Sequence, residues 1–306
     1  MKLSPYMWNK KSTPAIKDTL ERLRVTTSIR SNEWFDLMQL SWTEYQNIKL
    51  ENLKPTEKLI ERVAKHFNLK TDAVMCGEIN YKSLSLSFDT GSQAMPEVYS
   101  KAAYGRKRTS ITSIDFLEEY VGWGLRHDAI RKLSVSERML QDPFAPISMK
   151  FITSLCNYLH LRQFQPADFF AMGSYTYEAN KNTLIARLFS GLSSPKEAYE
   201  FFFTDCMKLF EQNCKYTVTE IDDNSLTVEY YTNPNVAAES GVRHLGSVHV
   251  CQLNCGHAAV IPRYLGLPAA KVKKTSCVHM GDTVCTLEID FSEATKAQLN
   301  PFSLNH

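Results

Sequence analysis

The 306-residue sequence predicts an α+β fold, with an N-terminal all-α bundle of short helices, a helical middle and a C-terminal antiparallel sheet backed by helices. Three patterns carry that expectation. Apolar residues recur at three- and four-residue spacing through the first two thirds of the chain, as one buried helical stripe requires. Farther on, YTVTE and SLTVEYY flank Ile221-Asp222-Asp223-Asn224, which is a hairpin signal. Near the end Cys285, Leu287, Ile289 and Phe291 alternate with Thr286, Glu288 and Asp290, as on a strand with one wet face.

Composition sets the outer bounds. Hydrophobic residues at 43% and charged residues at 22% suit a folded chain of about two domains rather than a disordered one. A net charge of +2 leaves any nucleic-acid role to local charge placement. The first residues lack the apolar run of a secretion signal, and no stretch reaches the roughly 18 apolar residues of a membrane span, so a cytoplasmic protein with no membrane partner is expected. Eight scattered cysteines then read as reduced thiols or a metal site rather than a disulfide framework. No Gly-rich phosphate loop, paired-His helix or nucleophile elbow is present, and no catalytic activity is expected.

Residues 1–80 form the first expected domain. Ile16, Leu20 and Leu23 make one helical stripe; Leu59, Ile60, Val63, Ala64 and Phe67 make another after Pro55, a natural helix boundary. Between them lie two short segments, Asn32 to Leu40 and Thr43 to Leu50, close enough for the turn of a helix-turn-helix. The spacing of Leu20, Leu23, Leu37, Ile48, Pro55 and the closing HFNLKTDAV resembles the Cro/cI-type helix-turn-helix family. The resemblance implies a DNA-binding domain that docks its second helix in the major groove of double-stranded DNA. It places Trp42, Thr43, Glu44, Gln46 and Asn47 on the base-reading surface and Ser31 at a phosphate. Thirteen Lys/Arg against ten Asp/Glu over residues 1–80 is a weak footprint, so useful affinity calls for a homodimer.

Residues 81–112 lose periodicity and read as a linker; within it Gly105-Arg106-Lys107-Arg108 reads as a solvated turn or a phosphate contact. Residues 113–192 read as a helical region whose stripe Ile152, Leu155, Leu159 is the expected dimerisation surface, with Cys156 in the same stripe.

Residues 193–306 form the second expected domain. Ser194-Pro195-Lys196-Glu197 is a capping box opening a helix to about Asn213. Its Phe201, Phe202, Phe203, Met207 and Phe210 are read as core or as the lining of a pocket for a small apolar ligand. In CVHMGDTVC, residues 277–285, Gly281-Asp282 supplies a turn between Cys277 and Cys285. The run from Cys251 to Ile289, through Gly256, Gly266, Cys277, Gly281-Asp282 and Cys285, resembles the end of the 4-vinyl reductase-type sensor domain, related to haem-NO-binding folds. That resemblance implies a ligand-sensing domain and a structural zinc on Cys251, Cys277 and Cys285, with Lys274 where the family has its glutamate ligand. Cys255, His249, His257 and His279 are the alternatives for a fourth ligand, since zinc accepts mixed sulfur and nitrogen donors. The combined reading is a ligand-responsive transcriptional regulator; the competing one is a binding scaffold whose helix-turn-helix contacts protein.

Overall fold

The computed structural model describes residues 15–89 and 94–299. Six short helices open it: α1 (Ile16–Thr26), α2 (Ser31–Met38), α3 (Trp42–Lys49), α4 (Glu57–His66), α5 (Thr71–Cys76) and α6 (Tyr81–Phe88). Their stripes meet in one core of Leu20, Leu23, Trp34, Ile48, Leu59, Val63 and Val74. The α2–α3 turn is built locally. Gln39 takes the left-handed conformation after α2, and Ser41 caps α3 in a reciprocal box with Glu44. Helix α6 corrects the linker expectation for its part of the chain. Asn80 caps it through Ser83 N, and its two apolar positions, Tyr81 and Leu84, reach the N-terminal core, where the Arg22 guanidinium lies 3.7 Å from the Tyr81 ring centroid. Two anchors three residues apart fix a helix in a serine-rich run that shows no longer periodicity.

The rest of the expected linker is also structured. After α7 (Glu97–Ser100), strand β1 (Gly105–Arg106) pairs with β2 (Pro146–Ile147), and α8 (Lys107–Phe116) begins six residues before the expected start at residue 113. The Gly105–Arg108 run is neither a solvated turn nor free for phosphate. Lys107 Nζ donates to the Met139 carbonyl at 2.6 Å, Arg108 Nε to Asn180 Oδ1 at 2.7 Å, and Arg106 Nη1 to the Phe144 carbonyl at 3.3 Å.

A π-helical turn, Leu117–Val121, continues α8, followed by α9 (Trp123–Lys132), α10 (Met149–Leu161), α11 (Pro166–Ser174), α12 (Thr176–Asn180) and α13 (Leu184–Phe189). Ile152, Leu155, Cys156 and Leu159 are buried inside this body. The stripe expected at a dimer interface is therefore spent on the chain's own core. Ion pairs join this body to the first: Arg22 of α1 binds Glu118, Glu118 binds Arg126 at 2.8 Å, and Arg126 binds Glu137.

The C-terminal body opens with α14 (Pro195–Phe201), a π-helical segment at Phe202–Cys206 and α15 (Met207–Phe210). This helix stops three residues short of Asn213. Ser194 accepts from Glu197 N as expected, but the Glu197 carboxylate turns to Ser193 N at 2.6 Å, not to Ser194 N. Strands β3 (Cys214–Ile221) and β4 (Ser225–Thr232) form the expected hairpin, with Asp222 accepting from Asn224 N and Ser225 N at the turn. Next come α16 (Pro234–Ser240), α17 (Val248–Ala259), β5 (Lys271–Ser276), β6 (Cys285–Asp290) and α18 (Ser292–Leu299). The antiparallel sheet runs β3-β4-β6-β5, and Cys285, Leu287 and Ile289 of β6 face inward as their alternation requires.

Helix α17 lies against α11 at two glycines. A Cβ on Gly256 would stand 2.0 Å from the Phe170 carbonyl oxygen, and one on Gly173 would stand 2.0 Å from the Leu253 carbonyl oxygen. Only the missing side chains let the two backbones approach so closely. Among the described residues no helix is long and apolar enough to cross a membrane.

Candidate functional site

Helix α17 carries Cys251 toward the sheet, and the β5–β6 corner carries Cys277 and Cys285. The corner is set by local chemistry: Asp282 Oδ2 accepts from Cys277 N at 2.7 Å, and Gly281 takes φ +104°. The three buried sulfurs lie within 4.8 Å of one another, with Cys251 Sγ 3.7 Å from Cys277 Sγ and 3.9 Å from Cys285 Sγ. Zinc–sulfur bonds of about 2.3 Å in tetrahedral array require sulfurs about 3.8 Å apart. The two edges that meet at Cys251 thus have the length of an edge of a zinc tetrahedron. Among the described Cys, His, Asp and Glu side chains no fourth joins it, so Cys255, His249, His257 and His279 are not brought in. Lys274, at the position of the family glutamate, has a buried Nζ without a hydrogen bond. Its ammonium has no lone pair to offer a metal. The buried Tyr230 hydroxyl, cross-strand from Cys285, is the nearby oxygen that the sequence reading missed. Its strand pairs with β6 across more than fifty intervening residues, so no local pattern pointed to it.

Without metal the thiols share protons. A hydrogen bond from Cys251, then one from Val278 N, pull the Cys285 thiol down to about 6 against the opposing effect of burial. Cys251, which supplies that bond to Cys285, is pushed well above the usual thiol range.

Two small cavities of about 90 Å³ each flank the π-helical segment. Phe202, Met207 and Phe210 line both, and Phe203 lines the one nearer the sheet. Phe201 lines neither; it packs edge-on against Phe189 at 5.3 Å. Four of the five expected pocket residues thus converge. The widened π turn is the local reason, because it shifts the helix face by which these rings are presented. His257, missed as a lining residue by the sequence reading, forms a wall of both cavities, and its Nε2 is buried without a partner.

Burial lowers the His257 pKa from 6.5 to about 4. Between those two values the unfolded chain takes up a proton that the folded chain refuses, so stability is full above about pH 6.5 and falls as pH falls toward 4. A loss of about 3 kcal/mol is expected across that window, and His257→Gln should flatten the slope in melting curves run from pH 7 to pH 4.5.

In the N-terminal body Trp42 is 62% exposed, Ser31, Thr43 and Glu44 are exposed, and Gln46 and Asn47 are half-buried. Glu44 is occupied as the α3 cap, its carboxylate accepting from Ser41 N at 2.8 Å and from Ser41 Oγ at 2.7 Å. Arg24, at the end of α1, pairs with Glu21 at 2.8 Å.

No family model matches the chain, and no curated protein is similar to it in sequence. Solved structures that align with it include the Fe(II) unliganded H-NOX protein from K. algicida, at 11% identity over 60% of this chain and 95% of that one, with a TM-score of 0.46. A mutant H-NOX domain from Shewanella oneidensis in the Fe(II)CO ligation state aligns at 10% identity over 61% of this chain and 98% of that one, TM-score 0.43. A mutant Cs H-NOX aligns at 8% identity over 62% and 97%, again with a TM-score of 0.43.

Proposed function

We propose that the chain is a one-component sensor, in which a small molecule held between α14–α15 and α17 biases the N-terminal helices, and that those helices bind double-stranded DNA as a homodimer. The observation that carries the sensing half is the convergence of Phe202, Phe203, Met207, Phe210 and His257 on two adjoining cavities. A structural zinc on Cys251, Cys277 and Cys285 would tie α17 to the β5–β6 corner. It would supply cross-linking and no chemistry. A haem does not fit these two cavities: each is well below the roughly 300 Å³ of an ordinary small-molecule pocket, and a porphyrin needs more.

The DNA-binding half draws on the two eight-residue helices and their tight turn, with exposed Thr43 and half-exposed Gln46 and Asn47 to read base edges. Selection from random duplexes is expected to enrich a motif, and Gln46→Ala with Asn47→Ala should relax it by about 1–3 kcal/mol of discrimination. Native mass spectrometry of the purified chain would report subunit count and metal in the same measurement. One feature favours the scaffold reading instead. Exposed Trp42 with a capped Glu44 and a paired Arg24 suits a protein contact better than a phosphate backbone. A selection that enriches no motif would decide for it.

A further inference from the structure

The cavity on the α8 side carries an asymmetry in its charge. Arg106 and Arg108 both line it, and no Asp or Glu does. Arg108 spends two of its five N–H donors, on Asn180 Oδ1 at 2.7 Å and Thr183 Oγ1 at 2.8 Å. Neither guanidinium makes an ion pair among the described residues, although burial already weighs on Arg108. Two further polar atoms of residues that line it, Thr176 Oγ1 and His257 Nε2, are buried without a hydrogen bond. Ile185, Phe189, Phe202 and Ile261 are among its apolar lining. A half-buried guanidinium without a counter-charge, beside unsatisfied buried polar atoms, is an arrangement that suits an acceptor group.

We infer that the ligand is a small monocarboxylate with an apolar body, its carboxylate on the unspent N–H groups of Arg108 and its body between Phe202, Phe210 and Ile261. This rests on the sensor reading and specifies its ligand class. The planar fork of a guanidinium matches the two oxygens of a carboxylate. The body is limited to at most one aromatic ring, since the cavity that Arg108 lines, at about 90 Å³, is smaller than the apolar cavity of about 150 Å³ that takes up benzene.

Calorimetric titration of the full chain with sodium benzoate, benzamide and toluene tests it. Benzoate should bind at least about 10-fold more tightly than neutral, near-isosteric benzamide. Arg108→Gln should erase that preference while leaving toluene unchanged, and Arg108→Lys, which keeps the charge, should retain part of it. Should the Gln variant fail to fold, the benzoate-to-benzamide ratio on the parent decides alone. Equal binding of benzoate and benzamide overturns the carboxylate and leaves the sensor standing. Failure of all three probes to bind overturns both.

Discussion

Gly256→Ala is expected to be the most damaging single methyl in the chain, costing about 3 kcal/mol or more, at the upper end of what overpacking costs. The added Cβ would meet the Phe170 carbonyl oxygen at 2.0 Å and Ser174 N at 2.8 Å, and these are backbone atoms that cannot rotate away. Helix α17 would have to lift off α11, taking the His257 wall and Cys251 with it. Gly191→Ala, where a Cβ meets nothing within 4 Å, is the matched control and should melt like the parent. A Gly256→Ala protein that melts within about 1 °C of the parent would show that the two helices do not approach so closely.

Cys285→Ser is expected to cost about as much, and by a different route. The parent should carry one zinc per chain in native mass spectra, and the variant should carry none. Chelation should lower the parent's melting temperature and leave the variant's unchanged, since a metal bound only by the folded chain adds its binding free energy to stability. The cost of losing the ion should be on the order of 3 kcal/mol, less than a zinc finger loses, because Leu226, Leu287 and Phe291 hold this core without it. A metal-free parent that melts like Cys285→Ser would reduce the corner to a turn with buried thiols.

The corner was legible because everything that shapes it lies within nine residues. Cys277, Gly281, Asp282 and Cys285 set the turn, the left-handed glycine and the inward face of β6 without help from elsewhere. The hairpin at Asp222 was legible for the same reason. What failed was long-range. The Arg106–Arg108 run looked solvated because the partners of Lys107 and Arg108 lie 32 to 75 residues away, at Met139, Asn180 and Thr183. Helix α6 was hidden because its burial rests on Tyr81 and Leu84 alone. The stripe at Ile152, Leu155 and Leu159 was correctly read as apolar and wrongly placed, since periodicity reports that a face is covered but not by which neighbour. In the pocket, the rings were visible and the π turn that aims them was not, because an inserted residue in a helix leaves no compositional mark.

The paired glycines also constrain how the molecule can move. A helix packed on side chains can roll, because rotamers absorb the rotation. One packed backbone to backbone cannot, so α11 and α17 have no independent rotation and travel as a single rigid plank. The far side of that plank meets the β5–β6 corner at Cys251, 3.7 Å from the Cys277 sulfur. Just past the end of α11, the Tyr175 hydroxyl donates to Glu119 at 2.7 Å; the neighbouring Glu118 holds Arg22 of α1. A displacement of His257 by a cavity occupant would therefore reach the first helix as a push along a stiff rod, with no torsional slack to dissipate it.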